Sequence, residues 1–176
     1  MTNSTGTPAG TGIAPLTGRA WVFPQDYINT DAMMPRAGYD LSPKEQNSLV
    51  LNSVRPGWAD LVEPGDILVA GRNFGTGSSR PAPTLLRRLG IAALVAESVA
   101  EIFLRNCVSY ALPVLDCPGC LEMTNEGDTV TVDLESGTFT NVTAGVSRSG
   151  PVLPAMLRET IAAGGAYAQL RAEGYM

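Results

Sequence analysis

The chain has 176 residues and a formal net charge of −5, with basic side chains scattered rather than clustered, which excludes the electrostatic footprint needed to grip a phosphate backbone. At 44% hydrophobic and 16% charged it has the composition of a globular domain, and no apolar run is long enough to span a bilayer. Histidine is absent, which removes serine–histidine and cysteine–histidine catalysis and every histidine-bearing metal site, while three cysteines are too few for a disulfide framework and point to the cytoplasm.

Residues 1–15, MTNSTGTPAGTGIAP, carry no basic cluster and no apolar core, so they read as a flexible leader rather than a secretory signal, and residues 16–176 as one domain. RAWVFP (19–24) predicts a strand running into the polar loop QDYINTD. Residues 43–53 predict a short helix opened by Pro43, followed by turns at RPGW and EPGD. DILVA (66–70) predicts a buried strand, residues 71–77 a glycine-spaced loop, and residues 83–89 a helix. IAALVAE predicts the next buried strand, and SVAEIFLRNCVSY a helix with Val99, Ile102, Phe103, Asn106 and Cys107 on one face. ALPVL is a third strand of this kind. DTVTVDL alternates, predicting a strand with one wet face, and ESGTF a hairpin turn into a further strand. The last segment predicts two helices broken at Gly164 and Gly165.

The densest cluster of unusual residues is GRNFGTGSSR, residues 71–80, where small residues permit close backbone approach and two hydroxyls adjoin a guanidinium. Free amides at a helix start favour an anion, and Arg80 can hold a carboxylate through paired hydrogen bonds. By spacing alone the loop reads first as a serine-capped helix start, and GxxxxGK is absent, so it is not a phosphate P-loop. Cys117 and Cys120 form a lone CxxC that cannot complete a tetrahedral site, and they read as incidental thiols. Cys107, Met33 and Met34 read as core.

GDILVAGRNFGTGSSR is similar to the G-D-x-x-V-x-G-x-N-F-G-x-G-S-S-R-E stretch of the small subunits of 3-isopropylmalate dehydratase and homoaconitase, and of the fourth domain of aconitase. WVFPQDYINTDAMMP and ALVAESVAEIFLRNCVSYALPVL resemble two further stretches of that family in order and spacing, so the likeness spans about residues 19–116. The resemblance implies an α/β swivelling domain of the β/β/α type, a mixed sheet or barrel flanked by helices. It implies that a separate large subunit holds a 4Fe–4S cluster, that this chain binds no cofactor, and that the pair dehydrates a 2-hydroxy dicarboxylic acid such as a 2-alkylmalate. Carried over by position, Ser78 corresponds to the base that removes a proton beside a carboxylate, and Ser79 and Arg80 to substrate contacts. A serine alkoxide needs a dry site with backbone amides or a cation beside it. Asn73 and Gly77 of the same loop join the substrate-contacting set. Asp31 reads as a site residue or a turn cap, and Arg36 as a contact to the distal carboxylate or a solvated surface residue, with Tyr39 beside it on the loop that senses the alkyl group.

Two departures stand out. The family's usual Arg-Glu-His-Ala after the serines is Arg80-Pro81-Ala82-Pro83 here, and the loop RAGYDLSP differs from the usual arginine–tyrosine–leucine continuation. Dimethylmalate or homocitrate chemistry, and a carboxylate-binding module without chemistry, therefore stand as alternatives.

Overall fold

The computed structural model describes residues 12–77 and 81–175. Four strands run parallel: β1 (Leu16–Phe23), β2 (Ile67–Ala70), β3 (Ala93–Ala96) and β4 (Val114–Asp116). Three more, β5 (Thr129–Asp133), β6 (Thr138–Asn141) and β7 (Val146–Ser149), extend the sheet antiparallel in the order β4-β3-β2-β1-β5-β6-β7. Strand β1 is the pivot. Its second half pairs with β2, from Ala20 opposite Ile67 to Phe23 opposite Ala70, and its first half pairs with β5, from Leu16 opposite Val132 to Arg19 opposite Thr129. Within the first half, Gly18 lets the turn before β2 approach closely, since a Cβ there would lie 2.0 Å from the Gly65 carbonyl oxygen.

The sequences ILVA of β2 and ALVA of β3 are apolar at every position because both faces of these strands are covered. Alternate residues feed two cores. Leu68, Ala70, Leu94 and Ala96 join Trp21 and Phe23 under the helices. Ile67, Val69, Ala93, Val95 and Leu115 instead meet Val130, Val132 and Phe139 from the antiparallel half. Strands of one sheet can share such a core only if the sheet curls over it. The edges come together at Gly150, whose Cβ would fall 1.7 Å from the Asp116 carbonyl oxygen. The expected wet face of β5 is also present, with Val130 and Val132 buried and Thr129, Thr131 and Asp133 facing outward.

Among the described residues six α-helices complete the fold: α1 (Thr30–Met33), α2 (Pro43–Leu49), α3 (Ala82–Leu89), α4 (Glu101–Ser109), α5 (Ala155–Ala162) and α6 (Ala166–Ala172). Pro43 opens α2 as expected, behind a reciprocal cap in which the Ser42 side chain accepts from the Glu45 amide and the Glu45 carboxylate accepts from the Ser42 amide. Phe103, Cys107 and Val108 are the buried residues of α4, but Ile102 is 40% exposed, a correction to the expected face: it lies one position before the i, i+4 pair of Phe103 and Cys107, on the side away from Val108. The break between α5 and α6 falls at Gly164 and Gly165, and a Cβ on Gly165 would lie 2.3 Å from the Ser109 carbonyl oxygen. Met33, Met34 and Cys107 belong to the helix-side core, as expected.

The first eleven residues of the expected leader lie outside the described residues, while Ile13 packs at the edge of the second core. Asp66, a buried carboxylate just before β2, ties β1 to the sheet's interior. It accepts from Arg19 Nη2 at 2.7 Å, Arg19 Nε at 3.2 Å, Trp21 Nε1 at 2.7 Å and the Glu63 amide at 2.9 Å. Among the described residues no helix is long and apolar enough to cross a membrane.

Candidate functional site

In a parallel sheet the loops leaving the carboxyl ends of the strands share one edge, and ligands bind there. Here those loops are residues 24–29 after β1, residues 71–77 after β2, residues 97–100 after β3 and residues 117–120 after β4. The glycine loop 71–77 is clasped between its two neighbours. On one side the Gly71 amide donates to the Phe23 carbonyl at 3.0 Å, the Arg72 amide to Asp26 Oδ1 at 2.7 Å, and the Tyr27 amide to the Arg72 carbonyl at 2.8 Å. The Gly75 amide then donates to the Ile28 carbonyl, and the Thr30 amide to the Thr76 carbonyl, both at 2.8 Å. On the other side the Asn73 amide donates to Ser98 Oγ at 2.8 Å, the Phe74 amide to the Ser98 carbonyl at 3.0 Å, and the Ala100 amide to the Phe74 carbonyl at 2.9 Å.

That close clasp explains the small residues. Gly75 has φ +84°, and a Cβ there would lie 2.2 Å from Phe103 Cγ. Gly77 has φ +113° and faces Asn29 Oδ1, which a Cβ would approach to 2.6 Å. Asn73 adopts a left-handed φ of 55°, a conformation that asparagine tolerates better than most side chains.

Ser78, Ser79 and Arg80, the centre of the expected site, lie outside the described residues. Asn73 and Gly77 sit within the clasped loop that leads to them. Asp31 stands exposed in the first turn of α1, a helix whose opening amide at Thr30 is bonded to that loop. The capping duty at this turn belongs to Asn29, whose Oδ1 accepts from the Asp31 amide at 2.8 Å. Arg36 and Tyr39, both exposed, follow on the 3₁₀ turn Arg36–Gly38 and its C-terminal flank.

Four supporting residues escaped the reading of the sequence: Asp26, Asn29, Ser98 and Asp116. Asp116, at the end of β4, accepts from the Val99 amide at 2.8 Å, and burial pushes its carboxyl above the usual aspartate range against the opposing pull of that bond. Glu97 accepts from the Gly119 amide at 2.6 Å and the Leu121 amide at 2.9 Å, holding the CxxC turn. The available signal was positional: a polar Glu-Ser pair directly after a fully buried strand, at the edge where ligands bind.

The cysteines do not fit a cluster-binding role. Cys107 lies in the helix-side core, whereas Cys117 and Cys120 lie in the core on the opposite face of the sheet, so the three sulfurs cannot converge on one group. All three are fully buried, and burial pushes every one of these thiols upward, away from the thiolate that ligates iron. Among the described residues no cluster of Cys, Asp or Glu could hold a metal ion. Beside the clasped loop lies a shallow depression of about 280 Å³ lined by Asp26, Arg72, Glu97, Leu121 and Glu122, three of them exposed. Such a rim cannot exclude water without a second wall.

Comparison with known proteins agrees with this architecture. Residues 26–118 match the family model of the aconitase C-terminal domain. The isopropylmalate/citramalate isomerase small subunit of Methanocaldococcus jannaschii is 41% identical over 152 residues, covering 85% of this chain and 90% of that protein. The 3-isopropylmalate dehydratase small subunit of Thermodesulfovibrio yellowstonii matches with the same identity and coverage. The 2,3-dimethylmalate dehydratase small subunit of Eubacterium barkeri is 38% identical, covering 80% of this chain and 87% of that one. A crystal structure of 3-isopropylmalate dehydratase from Methanocaldococcus jannaschii superposes with a TM-score of 0.83 at 30% identity, over 92% of this chain and 96% of that one.

Proposed function

Because this chain belongs to the aconitase C-terminal domain family, we propose that it is the small subunit of a hydro-lyase of the 3-isopropylmalate dehydratase type, isomerising a 2-alkylmalate by dehydration and rehydration. The observation that carries this reading is the clasped loop 71–77, which holds the chain entering Ser78 against two neighbouring loops at the ligand-binding edge of the sheet.

Ser78 acts as the base that removes the proton beside a substrate carboxylate. Ser79 and Arg80 hold that carboxylate, with Asn73 and Gly77 shaping the approach. Asp31 orients groups at the rim, and Arg36 and Tyr39 meet the substrate's far end from the turn after α1. A serine base requires exclusion of water, and the open rim supports the need for a second protein wall. That wall is the large subunit, to which we assign the 4Fe–4S cluster. Residues 16–176 act as one swivelling unit behind a leader of residues 1–15. Three buried, unpaired thiols support a cytoplasmic setting.

The test is reconstitution with a large subunit of the same enzyme type. We expect the purified chain to hold no iron after anaerobic treatment with iron and sulfide, and to be inactive alone. Mixing should give hydro-lyase activity on 3-isopropylmalate, citramalate or 2,3-dimethylmalate, and the rank of the three identifies the alkyl group. Iron–sulfur absorbance in the isolated chain that disappears in Cys117→Ser/Cys120→Ser would contradict the assignment of the cluster. A complex that binds these acids without turning any over would instead make the chain a carboxylate-binding module.

A further inference from the structure

We infer that Ser98, backed by Asp116, is a positioning residue for the reaction, setting the aim of the loop that carries the base. The inference rests on the reading of Ser78 given above.

The glycine loop is rich in residues that confer freedom, with left-handed backbone at Asn73, Gly75 and Gly77, so its conformation has to be imposed from outside. Most of the imposed bonds are backbone to backbone. Two are not: the Arg72 amide donates to Asp26 Oδ1 at 2.7 Å, and at the left-handed Asn73 the amide finds its acceptor in Ser98 Oγ at 2.8 Å. The neighbouring amide, Phe74, donates to the carbonyl of the same residue. Ser98 thus receives two consecutive amides of the loop, four and five residues before Ser78.

Ser98 itself is held from behind. It lies in an extended stretch between the end of β3 and the start of α4, which hydrogen-bonds to the sheet through the Glu97 amide and the Ala70 carbonyl. The next residue donates its amide to Asp116 Oδ1 at 2.8 Å. This half-buried carboxylate at the tip of β4 adds a side-chain anchor to the backbone bonds that hold the stretch presenting Ser98 to the loop. The chain of contact runs from β4 through Asp116, Val99 and Ser98 to Asn73 and so toward the base. Misplacement of a reacting group by about 1 Å costs on the order of 10²-fold in rate, so a hydrogen bond that sets loop position reads out in turnover.

The experiment uses the reconstituted two-subunit enzyme. Ser98→Ala should lower kcat roughly 10- to 100-fold with KM changed by less than about threefold. Ser98→Thr, which restores the hydroxyl acceptor, should recover most of the loss. Asp116→Asn keeps an oxygen acceptor for the Val99 amide and should stay near wild type, while Asp116→Ala should resemble Ser98→Ala. Normal turnover per assembled complex in Ser98→Ala, even with a lowered melting temperature, would reduce Ser98 to a structural bond and overturn the inference. So would a failure of Ser98→Thr to recover in a complex that assembles normally, or an Asp116→Asn variant as impaired as Asp116→Ala. If Ser78→Ala is inactive while Ser98→Ala is normal, only this inference fails; if Ser78→Ala is fully active, the base assignment beneath it fails.

Discussion

Asp66 shows how one residue joins sequence, fold and pH response. It is buried, yet it collects four donor contacts from Arg19, Trp21 and the Glu63 amide, and these bonds outweigh the burial that pushes its carboxyl upward, leaving it below the usual aspartate range. Because the folded value is the lower one, the stabilisation is full above the unfolded value of about 3.9 and is lost as the pH falls through the folded value. Asp66→Ala should cost about 1–3 kcal/mol in urea unfolding at pH 7, chiefly by stranding the Trp21 indole donor. The cost should shrink as the pH is lowered below about 3.9. A cost that is unchanged at low pH would assign the effect to packing alone. At this scale the sequence is legible where a residue type has few uses. Gly75 and Gly77 announce close approach and prove to need it, whereas Ser98 and Asp116 are ordinary residues whose importance depends on what lies across from them.

Among the elements, β2 and β3 are readable because strands covered on both faces admit only apolar side chains. The start of α4 is not. Helical spacing places residues 98–100 in that helix, but their backbone groups are taken by Phe74 and Asp116, so α4 begins only at Glu101. Tertiary pairing has overridden local propensity. Strand β7 escapes for a different reason, since all four of its residues are exposed and no alternation marks it. The same pairing that shortens α4 makes the glycine loop intolerant of bulk. Gly75→Ala forces a Cβ against the ring of Phe103 at a left-handed φ, and should destabilise the isolated chain by about 2–4 kcal/mol. Denaturant midpoints check this, and a shift below about 0.5 kcal/mol would mean that the loop is free to move off α4.

The whole molecule is a curled sheet whose central parallel strands β2 and β3 are packed on both faces, while the outer face of β5 and all of β7 meet solvent. Two cores, one under the helices and one inside the curl, hold the buried apolar residues and all three cysteines, while the proposed chemistry belongs to the loops at the carboxyl ends of the parallel strands and to the turn after α1. That division suits a subunit that closes over another protein's site, and the central claim is that it brings Ser78 there as the base. The decisive measurement is exchange of the substrate's abstracted proton with deuterated solvent in the reconstituted enzyme, for Ser78→Ala and Ser79→Ala side by side. Loss of a positioned proton acceptor should cut exchange and kcat together by roughly 10²–10⁴-fold in Ser78→Ala, with assembly and substrate binding retained, while Ser79→Ala acts mainly through KM. Exchange near the wild-type rate in an assembled Ser78→Ala enzyme would contradict the account.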